Sequence, residues 1–86
     1  MMYTCKMFSD NAGNLHLAII NDRGKCVYYL ADQDEELVRN TLSDLKAGGD
    51  PIAEDWEGGE DDPQACLRSI EDMVAARNGG AWEIEV

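Results

Sequence analysis

Acidic side chains are the functional groups this sequence supplies in quantity. Between Asp50 and Asp62 stand Asp50, Glu54, Asp55, Glu57, Glu60, Asp61 and Asp62, with no base among them and Trp56 near the middle. Carboxylates at such density serve cation binding, acid–base catalysis or attraction to a basic surface. A calcium loop of the EF-hand type starting at Asp50 needs an oxygen donor at its third position and Gly at its sixth, and Ile52 and Asp55 stand there instead. Glu57, Glu60 and Asp61 are left with weak, nonspecific divalent-ion association at most. Acid–base pairs need an enclosed cleft that lifts one carboxyl's pKa, and an exposed loop of a small chain lacks one. Charge display is the chemistry that remains.

The other reactive residue types carry less. The sole histidine, His16, falls mid-strand with no acid or Cys at a useful spacing, so it reads as a sheet-face residue. Ser9, Ser43 and Ser69 have no G-x-S-x-G context. Cys5, Cys26 and Cys66 are odd in number and contain no C-x-x-C pair, which suggests interior free thiols and neither a disulfide framework nor a zinc site. The glycine pairs Gly48-Gly49, Gly58-Gly59 and Gly79-Gly80 do not follow a strand and open a helix with a Lys, so none is a phosphate cradle. The expectation is a non-enzymatic protein without catalytic residue, metal or cofactor.

The elements that must position these groups follow from periodicity. Met2 to Ser9 alternates, Asp10 to Asn14 is a turn, and Leu15 to Asn21 and Lys25 to Leu30 are strands joined by Asp22-Arg23-Gly24, a three-residue hairpin loop with Gly24 in the left-handed position. If Asn21 pairs with Lys25, Leu15, Leu17 and Ile19 share a face with Val27 and Tyr29, with Tyr3, Cys5 and Met7 added by the first strand. The opposite face receives His16, Ala18, Ile20, Cys26, Tyr28 and Leu30, so neither face is polar. A helix is predicted from Gln33 to Ala47, with Asp32 as N-cap, Glu35 closing a capping box, and an apolar stripe of Leu37, Val38, Leu42 and Leu45. Asp62 and Pro63 open a second helix with the stripe Cys66, Leu67, Ile70, Met73 and Val74, ended by Asn78-Gly79-Gly80. Ala81 to Val86 is a last strand with Trp82, Ile84 and Val86 inward. The expected fold is therefore one α+β domain over residues 1–86: a four-stranded antiparallel sheet in the order β-β-β-α-α-β, two helices packed on one face, and an acidic inter-helix loop at 50–62.

A chain of 86 residues holds one core, and no apolar run approaches a membrane span or a secretory leader, which points to a cytoplasmic protein with no membrane partner. Its 18 acids against 7 bases give a net charge of −11. The small excesses in residues 1–30 and 73–86 cancel, so that charge lies between residues 31 and 72. Such a field repels nucleic acid and attracts basic proteins. The sheet face bearing His16, Ile20 and Tyr28, if left open, supports an alternative class, a small interaction or homodimerisation module.

The hairpin with its turn Asn21-Asp22-Arg23-Gly24, the aromatic third strand, the acid-opened helix Asp32 to Lys46 and the stretch Glu54-Asp55-Trp56-Glu57 before a further helix resemble the small acidic anti-CRISPR proteins over residues 15–72. The chain departs from that pattern in having a strand at its N-terminus where a helix would stand, and a strand after the last helix. The resemblance implies an inhibitor from a phage or mobile element that imitates DNA in the basic groove of a CRISPR effector nuclease. Its partner-binding residues would be Asp22 and Arg23 at the hairpin tip and Glu54, Asp55, Trp56, Glu57, Glu60 and Asp61 in the loop.

Overall fold

Two tight turns set up the sheet. In the first, the Asp10 carboxylate accepts the backbone N–H groups of Ala12 (2.9 Å) and Asn14 (3.0 Å), closing the connection between β1 (Thr4–Asp10) and β2 (Leu15–Ile20). In the second, Asn21 donates its N–H to the Lys25 carbonyl, and its side-chain oxygen accepts from the amides of Arg23 and Lys25. Gly24 takes φ +80 there, a value that L side chains resist. This is the predicted hairpin into β3 (Cys26–Asp32). The chain continues through α1 (Glu35–Lys46), α2 (Pro63–Ala75) and β4 (Ala81–Ile84). The computed structural model describes residues 2–54, 56, 58–76 and 79–85. Asp55, Glu57, Asn78 and Val86, which the sequence reading assigned to the loop, the second helix end and the last strand, lie outside the described residues.

The sheet is antiparallel throughout, in the order β3-β2-β1-β4. The four strands and the element order agree with the sequence expectation, but the faces and the helices do not. Ile20 pairs with Cys26 while Ile19 pairs with Tyr28, so Val27 is an extra residue in a bulge. Beyond it the register shifts by one, which exchanges the faces of every later β3 side chain. Tyr28 and Leu30 therefore join Leu15, Leu17, Ile19 and Met7 in the core beneath Val38 and Leu42 of α1, with Val27 packed partly buried against it as expected, whereas Tyr29 turns to the opposite face.

The opposite face is also fully used. Phe8, Ala18, Cys26 and Tyr29 pack against Leu67 and Ile70 of α2, with Ala81 at the edge and Ile20 partly buried beside them. Thus the helices cover opposite faces, and the expected placement of both on one face is corrected. The physical reason is visible in the sequence: both faces carry apolar side chains, and each large one removed from water adds about 1.5–3 kcal/mol. With His16 and Ile20 half-buried under α2 and Tyr28 on the other face, the open patch required by the homodimerisation alternative does not exist.

Helix ends follow local chemistry. β3 runs to Asp32, whose carboxylate accepts the Asp34 N–H; Asp34, not Asp32, is the N-cap of α1 and accepts from Leu37 N. Leu37 and Met73, assigned to apolar stripes, are exposed, as is Trp82, which was expected inward. Asp62 caps α2, accepting from Ala65 N, with Pro63 in the first turn as anticipated. Among the described residues no helix is long and apolar enough to cross a membrane.

Candidate functional site

Because α1 and α2 lie on opposite faces, the acidic segment between them must cross a sheet edge, and the edge it crosses is β3. Leaving α1, Asp50 accepts the Tyr3 hydroxyl (3.0 Å) and the amides of Ile52 and Ala53, which make a turn like a helix cap. Those amide bonds hold the Asp50 carboxyl below its usual range. Trp56 is half-buried against the α1-side core, edge-on to Tyr28 with ring centroids 5.8 Å apart. Its Nε1–H donates to Glu54 Oε2 at 2.8 Å. At Gly59 the backbone comes so close to the Tyr28 ring that a Cβ there would lie 2.6 Å from a ring carbon. Glu60 then donates its N–H to the Tyr29 carbonyl at 2.8 Å, and Gln64 Oε1 accepts the Cys26 N–H. The crossover thereby satisfies backbone groups of an edge strand that would otherwise be a template for association.

The predicted contact residues consequently divide by role. Glu54 and Trp56 are engaged with each other, and Glu54 also accepts the Asp50 N–H. Asp22, Glu60 and Asp61 are exposed, and their side chains make no hydrogen bond or ion pair among the described residues. Arg23 is exposed beside Asp22 at the hairpin tip. Asp61 and Asp62 share a depression with Lys25, Cys26, Val27 and Ile52. The exposed carboxylates thus run from the hairpin tip along the outer side of β3, near Lys25 and Val27 at Asp61 and near Tyr29 at Glu60. Apart from Asp10, Asp32 and Asp50, every described acid is exposed. Only Glu35, with Arg39, and Glu71, with Lys6, have a Lys or Arg partner among the described residues.

A second cluster was not anticipated. His16 Nε2 lies 2.7 Å from Asp10 Oδ2 and Nδ1 lies 2.6 Å from the Tyr29 hydroxyl, with the His and Asp side chains only 13% and 10% exposed. An ionised Asp10 places a proton on Nε2, and in the neutral ring Nδ1 then accepts from the Tyr29 O–H. The His16 hydrogen bond, together with the amides of Asn14 and Ala12, lowers the Asp10 pKa to about 2. The connectivity is carboxylate, imidazole, hydroxyl, and it borders a cleft of about 240 Å³ that Cys66, Glu60 and Ile70 also line. For nucleophilic chemistry the hydroxyl must release its proton. Burial pushes the Tyr29 phenol up, and burial with Glu60 and Asp62 pushes the Cys66 thiol up, so both hold their protons. The cluster acts as a buried strut joining the end of β1 to β2 and β3. Its signal in the sequence is diagonal placement across paired strands, since His16 pairs with Phe8 and Ala31 while Asp10 and Tyr29 stand two residues from those partners. Linear spacing does not reveal it.

Comparison with known proteins finds no matching family model, no matching curated protein and no matching solved structure.

Proposed function

We propose that this chain is a non-enzymatic binding protein that inhibits a basic, nucleic-acid-handling protein by standing in for nucleic acid. The resemblance to small acidic anti-CRISPR proteins points to a CRISPR effector nuclease as that partner. The observation that carries the reading is the row of exposed, unengaged carboxylates Asp22, Asp61 and Glu60 along the covered edge of β3. A mimic needs its charges held at defined positions. Here a hairpin tip fixed by Asn21 and a crossover anchored through Trp56, Gly59 and the Glu60 amide provide backbone order beneath them. Carboxylates so displayed replace phosphates in a basic groove, and their long-range field accelerates encounter.

The test is a pull-down from host extract followed by nuclease inhibition with whichever CRISPR effector is recovered. Binding should compete with DNA and weaken steeply with salt. Converting Asp22, Glu60 and Asp61 together to Lys should abolish it, whereas altering Glu54 should act chiefly through the anchoring of Trp56. Recovery of an acidic partner, or of one with no nucleic-acid role, or undiminished binding by the triple variant, overturns the reading.

A further inference from the structure

The chain treats the two edges of its sheet differently. The crossover covers β3, through the Glu60 amide on Tyr29 O and Gln64 Oε1 on Cys26 N. At the other edge β4 pairs with β1 and with no other described strand. The register runs Met7 with Ile84, Phe8 with Glu83, Ser9 with Trp82 and Asp10 with Ala81, and just past it Asn11 donates its N–H to Gly80 O at 2.6 Å. Bonded and non-bonded pairs alternate along an antiparallel ladder. The Asn11 bond therefore makes Ser9–Trp82 and Met7–Ile84 the bonded pairs, and the N–H and C=O of Ala81 and Glu83 point outward. Outward-facing edge groups of this kind accept an added strand.

The side chains around this edge are equally specific. Trp82 is 49% exposed on the α1 side of the sheet, because α1 packs over β2 and β3 and stops short of β4. It borders a cleft of about 190 Å³ together with Leu15, Glu35, Arg39 and Ile84. Glu83 and Glu85 are exposed and have no Lys or Arg partner among the described residues. We propose that β4 is a docking edge for an extended, basic segment of a partner protein. That segment adds as a fifth strand, with its backbone on Ala81 and Glu83, apolar side chains over the Trp82 ring and the adjoining Leu15 and Ile84, and Lys or Arg residues on the other face against Glu83 and Glu85. Charge selects this occupant. A second copy pairing through β4 brings Glu83 and Glu85 of both copies together on molecules that each carry −11, and like charges across strands are unfavourable. This surface is separate from the β3 carboxylates and does not depend on the function proposed for them.

The experiment titrates the isotope-labelled full chain with a capped seven-residue peptide of alternating lysine and valine, and with a glutamate–valine peptide as control, followed by NMR. The lysine peptide should shift the Trp82 indole signal and slow exchange of the Glu83 amide about tenfold or more. Glu83→Pro removes the outward N–H while leaving the bonded pairs to β1 intact, and should abolish that binding. Glu83→Gln should retain it with weaker affinity and less salt dependence. Unchanged Leu17 and Met7 signals report an intact sheet in both variants. Asp22→Lys, Glu60→Lys and Asp61→Lys combined should leave the Trp82 and Glu83 responses in place, which separates this edge from the β3 surface. Equal binding of the glutamate peptide, undiminished binding by Glu83→Pro, or shifts confined to Asp22, Glu60 and Asp61 would overturn the proposal. So would concentration-dependent self-association through β4 without peptide, which assigns the edge to a second copy.

Discussion

Replacing Asp10 with Asn isolates the charge of the buried strut. In the native chain the Asp10 pKa drops from 3.8 to about 2. At about 1.4 kcal/mol per unit, that difference corresponds to about 2 kcal/mol of stability when the group is ionised. A folded-state pKa below the unfolded value means this contribution is fully present above about pH 4 and is lost as pH falls through the folded value near 2. The Asn oxygen can still accept the Ala12 and Asn14 amides, and its NH₂ can donate to His16 if the ring moves its proton to Nδ1, so the geometry is retained. Urea denaturation of both proteins between pH 7 and pH 2 is the assay. The variant should be less stable by about 2 kcal/mol at pH 7. The gap should narrow below pH 4 and close near pH 2, and taking the difference between the two proteins removes the background titration of the shared acids. A gap that stays constant to pH 2 would show that the His16 contact contributes through packing and not through ionisation.

Tyr29→Phe leaves the half-buried His16 Nδ1 without its donor and should cost about 1–3 kcal/mol in the same denaturation assay. Gly59→Ala places a Cβ 2.6 Å from a Tyr28 ring carbon, so the crossover must lift or the ring must shift. The expected cost is about 1–3 kcal/mol, with limited proteolysis between residues 50 and 62 accelerating. Finally, the melting temperature should rise between about 0.05 M and roughly 0.5 M NaCl, because screening relieves self-repulsion in a chain of net charge −11. A steady fall would mean that ion pairs such as Lys6–Glu71 outweigh repulsion.

What the sequence made legible is what local chemistry determines. The Asn21 to Gly24 turn, Asp62 and Pro63 at the start of α2, and the succession of elements along the chain each rest on residues close in the chain. Two features needed contacts between distant residues. The bulge at Val27 is one, since turn geometry correctly pairs Asn21 with Lys25 yet gives no notice of the extra residue just beyond. The other is the Asp10, His16 and Tyr29 cluster, assembled by strand pairing from three separate strands. At the candidate site, the sequence placed Trp56 among the contact residues, whereas the structure packs it against Tyr28, and only the crossing of β3 reveals which acids are left free.

That crossing links fold to charge. Two apolar sheet faces require a helix on each, and two helices consecutive in sequence can cover opposite faces only if the chain between them passes over an edge. The segment that does so must stay polar because it runs across the surface, and it must hold its turns by hydrogen bonds because it packs few large side chains. Asp50, Glu54 and Asp62 meet that need directly, accepting backbone amides at the turn after α1, the indole N–H of Trp56, and a backbone amide at the start of α2. Part of the acidity of residues 50–62 is therefore a requirement of the topology. The excess over that requirement among the described residues, Glu60 and Asp61, lies where the crossover follows β3 toward Asp22, and there a structural role does not account for the charge. Charge density alone does not distinguish these positions from Glu54, whose carboxylate is already engaged by the Asp50 amide and the Trp56 indole.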